Sequence, residues 1–225
     1  MSMQQTLVVC LGFVLLSGSV NAQELIYAVT DNQTLVTWNS DAPNNVLSGL
    51  AISGLQSNEQ VRGIDFRPAT GELFAVGSFS NLYTIDVSTG AAAQVGSMFS
   101  PGLNGSAFGF DFNPTIDRIR NVSNANQNLV LNPNTGTSTL VTNLFYGPGD
   151  VNEGTDPNVA ASAYTNNFNG ATSTQLYGID TGLDILVTQA NSAGTLGTVG
   201  ALGIDMNDTA AFDISGATGI AYGTV

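Results

Sequence analysis

The chain has 225 residues, 17 acidic side chains against four basic ones, a formal net charge of −13 and no histidine. The four cations are all arginines and the one cysteine, Cys10, lies in an apolar N-terminal run, so Ser-His-Asp and Cys-His sites, Schiff-base lysines and the usual zinc sites are excluded. Nucleic acid and anionic membranes are excluded as partners too, because both demand clustered cations.

Met1 to Ala22 carries no charged side chain, holds an apolar run from Leu7 to Leu16 and ends in Val20-Asn21-Ala22. This pattern reads as a secretory signal peptide (residues 1–22) cut after small residues, which leaves 23–225 as a single exported domain. The apolar run is well short of the ~20 residues a spanning helix needs, so no membrane span is expected after cleavage. Cys10 would leave with the signal. The remaining chain then folds without disulfides, and it is long enough to bury a core of its own.

From Leu25 onward one unit recurs. GIDFRPATG (Gly63 to Gly71), GFDFNPTID (Gly109 to Asp117) and AFDISGATG (Ala211 to Gly219) are near copies, with a looser one in AYTNNFNG (Ala163 to Gly170). The strand-like pieces IYAV, LFAV, IRNV and LYGI begin at Ile26, Leu73, Ile119 and Leu176, spaced 47, 46 and 57 residues apart. Leu35, Leu82 and Leu129 repeat at intervals of 47, with a further copy near Ile185. Short β-branched and aromatic runs separated by Gly, Ser, Asn and Pro, in a period of roughly 40–50 residues, predict propeller blades of about four strands each. The predicted fold is therefore all-β, a propeller of four-stranded antiparallel blades, four to five in number and incompletely closed if the last blade stops at its first strand. Gly90 and Gly136 end Ser-Thr-Gly and Asn-Thr-Gly turns where a hairpin needs positive φ. Pro68 and Pro114 follow the FxF-type strand and terminate it.

Asp65, Asp111 and Asp213 occupy one position of the repeat, which favours a structural role: an Asp near a turn can accept backbone N–H groups and tie one blade to the next. Arg67 could add an ion pair on the same strand face. Arg118 and Arg120 follow the second copy, and Arg120 stands where the other units have Tyr27, Phe74 and Tyr177. An arginine in an aromatic slot could stack on a ring and pair with Asp111 or Asp117. It could instead bind an anionic ligand near the axis, on the reading that IRNV is the first, channel-lining strand of its blade.

The 57-residue interval contains an insertion, Tyr146 to Ser162. Its Asp150, Asn152, Glu153 and Asp156 are candidate ligands for a hard cation such as Ca²⁺, although the glycine and terminal Glu of an EF-hand are missing. An ordinary polar loop is the competing reading.

The run GFDFNPTIDRIRNVSNANQNLVLNPNTG (Gly109 to Gly136) closely resembles the hallmark segment of the domain-of-unknown-function 4394 family of exported bacterial proteins. GIDFRPATGELFAV, AASAYTNN, TQLYGID, TLGTVGALGID and FDISGATGIAY match its pattern in order. The resemblance implies a propeller-like domain, secreted to the extracellular space or periplasm, with no catalytic residues to carry over. The family pattern continues past GIAY with a further hairpin, so a blade edge left open at GIAYGTV would invite pairing with another chain. Three functions remain open at this point: a non-enzymatic scaffold or binding module for an extracellular protein or glycan; a carboxylate-based hydrolase or a quinone-type propeller enzyme, the latter suggested by LYTIDVSTGAA (Leu82 to Ala92); and a calcium-dependent adhesion module.

Overall fold

A computed structural model describes Gly12–Val14 and residues 23–224. The predicted signal peptide lies outside the described residues apart from Gly12–Val14, which form a strand. The first sheet contains β1 (Gly12–Val14), β2 (Leu25–Val29), β3 (Thr34–Asn39) and β4 (Val46–Ala51). The second contains β5 (Val61–Phe66), β6 (Leu73–Gly77), β7 (Leu82–Ile85) and β8 (Ala92–Val95). β9 (Phe108–Asn113), β10 (Arg118–Ser123), β11 (Asn128–Leu131) and β12 (Ser138–Leu140) make the third. The fourth has β13 (Phe145–Tyr146), β14 (Val159–Tyr164), β15 (Leu176–Asp180), β16 (Ile185–Gln189) and β17 (Thr195–Ala201), with β13 added in parallel on the outer edge of β17. A hairpin of β18 (Ala211–Ile214) and β19 (Ala221–Thr224) follows.

Apart from the parallel β13, each sheet is an antiparallel meander in chain order, and the first strands β1, β5, β9, β14 and β18 contact one another in succession around a common axis. The predicted all-β propeller is thus the fold. Four sheets are full blades, and the β18–β19 hairpin fills the remaining sector, with Phe212 packed on the fourth blade and Ala211 and Tyr222 on the first. The register repeats with the sequence: Tyr27 faces Thr37, Phe74 faces Thr84, Arg120 faces Val130 and Tyr177 faces Thr188.

One expectation needs correcting here. IYAV, LFAV, IRNV and LYGI are the second strands of their blades, and the axis is lined by the G-x-D-F strands that precede them. The unit boundary was misplaced by one strand because both pieces are short, apolar and equally periodic.

The core consists of layers between blades. Tyr27 of β2 meets Phe66 of β5 edge-on with ring centroids 5.1 Å apart, and Phe74 of β6 meets Phe112 of β9 the same way at 5.3 Å. A glycine near the start of β5 and of β9 lets neighbouring inner strands approach closely: a Cβ on Gly63 would lie 2.5 Å from Phe110 Cβ, and one on Gly109 would lie 2.4 Å from Ser162 Oγ. Gly90 and Gly136 adopt φ of 76° and 69°, as the turn chemistry requires.

Candidate functional site

Asp65, Asp111 and Asp213 project from β5, β9 and β18 toward the axis, and one oxygen of each lies within 4.8 Å of the other two. All three are 1% exposed. Asp65 Oδ2 accepts the N–H of Phe112 on the next inner strand at 2.8 Å, Asp111 accepts the N–H of Tyr164, and Asp213 Oδ1 accepts the N–H of Ile214 at 2.7 Å. The tie runs sideways from one inner strand to its neighbour for Asp65 and Asp111. In each carboxylate the other oxygen (Asp65 Oδ1, Asp111 Oδ1, Asp213 Oδ2) has no partner at hydrogen-bonding distance and angle, although Asn167 stands beside Asp65 and the carboxylates of Asp111 and Asp213 face each other. On β14 the equivalent position is the buried Ala163.

Removing these carboxylates from water disfavours their charged forms, and their mutual repulsion adds to the effect. Burial first, then the charge of Asp213, pushes Asp65 well above the ordinary carboxylate range. Burial followed by the charges of Asp65 and Asp213 does the same to Asp111. Asp213 is pushed up to about 7, chiefly by burial, against the opposing N–H of Ile214. Such a trio must hold protons or a cation. One oxygen of each lies within 4.8 Å of the other two inside the protein, so the three do not form a solvent-exposed acid-base pair.

The arginines lie elsewhere. Arg67 forks across the blade boundary onto Asp117, with Nε 2.8 Å from Oδ1 and a second contact from Nη2 to Oδ2. This pairing was not anticipated, because it joins residues 50 positions apart. Arg118 donates to the carbonyl of Asp117 at 2.8 Å. Arg120 is buried on the second strand of its blade, where Nη1 donates to Asn128 Oδ1 at 2.9 Å, Nη2 to Ser192 Oγ at 3.2 Å and Nε to Tyr164 OH at 3.5 Å.

The insertion uses its polar atoms locally. Asp150 accepts the N–H and hydroxyl of Thr198 at 2.6 and 2.7 Å and the N–H of Asn152 at 2.8 Å. Asn152 Nδ2 donates to Thr198 Oγ1, Glu153 accepts the N–H of Gly149, and Asp156 accepts Asn126 Nδ2. The loop's inner end is pinned by the buried Asp180, which accepts the hydroxyl of Tyr146 at 2.6 Å and the N–H of Asn158 at 3.2 Å. Asp180 went unnoticed in the sequence because nothing marks it out from any other acidic strand end. Between this loop and β13 lies a cleft of about 490 Å³ lined by Phe145, Tyr146, Pro148, Glu153, Asp156 and Pro157 among others.

The sequence profile described as "Domain of unknown function (DUF4394)" matches residues 34–225, and the chain belongs to that family. Among curated proteins none matches it in sequence. Among solved structures it is similar to the glutaminyl cyclase of Myxococcus xanthus, at 13% identity and a TM-score of 0.59, covering 97% of this chain and 86% of that one. It is also similar to a structural-genomics protein of unknown function from Bacteroides thetaiotaomicron, at 14% identity and a TM-score of 0.50, covering 88% of this chain and 44% of that one. At these identities the likeness is one of fold.

Proposed function

We propose that this member of the DUF4394 family is an exported, non-enzymatic binding module whose propeller presents the cleft beside β13 to an extracellular protein segment or glycan. The observation that carries the reading is the cleft itself. Phe145 is 42% exposed on one side, the prolines stiffen the rim, and Glu153 and Asp156 supply acceptors for hydroxyl or amide donors. Loops on a rigid all-β frame are where recognition usually resides, and this loop is braced by Asp150 and Asp180.

Catalysis is the second reading, favoured by the fold's similarity to a propeller enzyme, the glutaminyl cyclase. Against it, the carboxylates that converge are buried on the axis, with no room for a substrate between them.

The test begins with the secreted chain, whose N-terminus should be Gln23 by mass spectrometry, cleavage there taking β1 away from the edge of β2; an intact Met1 overturns export with cleavage. The protein is then screened on immobilised glycans and matrix proteins, and assayed against p-nitrophenyl glycosides and an N-terminal glutaminyl peptide. Saturable binding that falls at least tenfold in Phe145→Ala, with no turnover, supports the module. Turnover abolished by Asp111→Asn would replace it with an enzyme.

A further inference from the structure

We infer that the propeller axis is a binding site for one divalent hard cation, Ca²⁺ in preference to Mg²⁺, held by Asp65, Asp111 and Asp213. Three observations converge. The carboxylate oxygens come from three different blades yet lie within 4.8 Å of one another. Every one of the three side chains is 1% exposed, so water does not compensate its charge. Each retains an oxygen with no partner at hydrogen-bonding distance and angle, and a buried carboxylate oxygen left unpaired is strongly unfavourable unless a proton or metal reaches it.

The arrangement is also preorganised. Phe112, Tyr164 and Ile214 each donate a main-chain N–H to one carboxylate, which sets its orientation without occupying the other oxygen. A ligand set held in this way loses little freedom on binding.

Chemistry chooses the ion. The site has only oxygen donors and the chain has no histidine, which disfavours zinc and copper and suits Ca²⁺, Mg²⁺ or Mn²⁺. Ca²⁺–O distances of about 2.3–2.6 Å let opposing ligand oxygens stand up to about 5 Å apart, whereas Mg²⁺ at about 2.0–2.1 Å needs them closer and octahedral. Ala163 in the fourth position keeps the ligand charge at three carboxylates, so that main-chain oxygens or waters would complete a Ca²⁺ shell. The site is distinct from the insertion, whose carboxylates are engaged by Thr198, Gly149 and Asn126. A cation here would join blades two and three to the β18–β19 hairpin, and so hold the ring closed at its shortest sector. The inference does not depend on what the cleft beside β13 binds.

The experiment uses the full chain, stripped with EDTA and then freed of chelator, at pH 8. After equilibration with Ca²⁺ and gel filtration, elemental analysis should find one Ca²⁺ per chain. Ca²⁺ at a hundredfold excess over its Kd should raise Tm by about 5–10 °C, with a smaller rise in Mg²⁺. Asp111→Asn and Asp213→Asn should each abolish the Ca²⁺ response. Elemental analysis and the EDTA comparison on the wild-type chain decide the matter if a variant fails to fold. No retained metal together with equal Tm in Ca²⁺ and EDTA would overturn the inference, leaving a trio that holds protons only. A Ca²⁺ response that survives both substitutions would overturn it as well.

Discussion

Arg120 meets the hydroxyl of Tyr164 across the third blade boundary, at the place where the first two boundaries set Tyr27 against Phe66 and Phe74 against Phe112. The aromatic pair has been replaced by a cation and a phenol without changing the repeat. The guanidinium keeps its planar fork occupied by Asn128 and Ser192, and the Tyr164 hydroxyl donates to Asn191 Oδ1 at 2.5 Å. The slot accepts Arg because long apolar stems pack as rings do while the head finds acceptors at the boundary.

Arg120→Ala should therefore destabilise the domain by about 2–4 kcal/mol, since the buried Asn128 loses a donor and the space filled by the stem is left empty. Arg120→Lys should recover less than half of that, because a single ammonium cannot serve three acceptors in one plane. Urea unfolding of the three proteins measures this. A neutral Arg120→Ala would show that the network contributes nothing.

Gly109→Ala should cost about 3 kcal/mol. The new methyl would lie 2.4–2.8 Å from Ser162, including its backbone N, so the inner strands β9 and β14 would have to separate. Gly71→Ala is the matched control: φ there is 75° but nothing lies within 4 Å, so only backbone strain of about 1 kcal/mol is expected. Equal losses at the two positions would mean that close packing of the inner strands is not what Gly109 provides.

These glycines explain why the fold was legible. Gly63 and Gly109, the FxF strand, and Gly90 and Gly136 recur because each blade meets its neighbour through the same geometry, so the repeat is printed in the chain. The axial trio was only half legible. Asp65, Asp111 and Asp213 stood out as repeated, but their convergence depends on ring closure, which no local pattern encodes. Arg120 was visible as an exception in an aromatic slot, yet its depth depended on knowing which strand is innermost. That boundary was ambiguous because two consecutive apolar strands of similar length carry the same period. Asp180 left no trace, and Arg67 was legible as a residue that would form an ion pair but not as the partner of Asp117, since that contact joins segments 50 positions apart.

The Arg67–Asp117 pair makes a prediction with a definite pH sign. The hydrogen bond from Arg67 holds Asp117 below the usual carboxylate range, so its contribution is present above the unfolded value near 4 and is lost as pH falls through the lower folded value. The side chains are 11% and 33% exposed, so solvent screening limits the contribution to about 1 kcal/mol. Arg67→Met should lower Tm by about 2–4 °C at pH 7 and approach the wild type as acid protonates Asp117. A difference that persists unchanged at low pH would assign the loss to the guanidinium over Phe74, whose ring centroid is 6.0 Å from the guanidinium carbon.

The axial carboxylates act in the opposite sense when a chelator keeps cations away. Burial and mutual repulsion raise Asp65 and Asp111, and Asp213 reaches about 7. Between the unfolded value near 4 and that raised value the native state binds more protons than the unfolded chain, so stability must fall as pH rises through the window. In EDTA, Tm should decline from pH 4.5 to pH 8, with a loss of a few kcal/mol across the range. Asp213→Asn should flatten the decline, because an amide has no charge to desolvate, and should leave the substituted protein more stable than the wild type at pH 8 in EDTA. Protein without chelator should decline less if a cation substitutes for the protons. A wild-type Tm that is flat or rising over this window in EDTA would mean that the three carboxylates are ionised and solvated in the native state, and the buried geometry on the axis would then be incorrect.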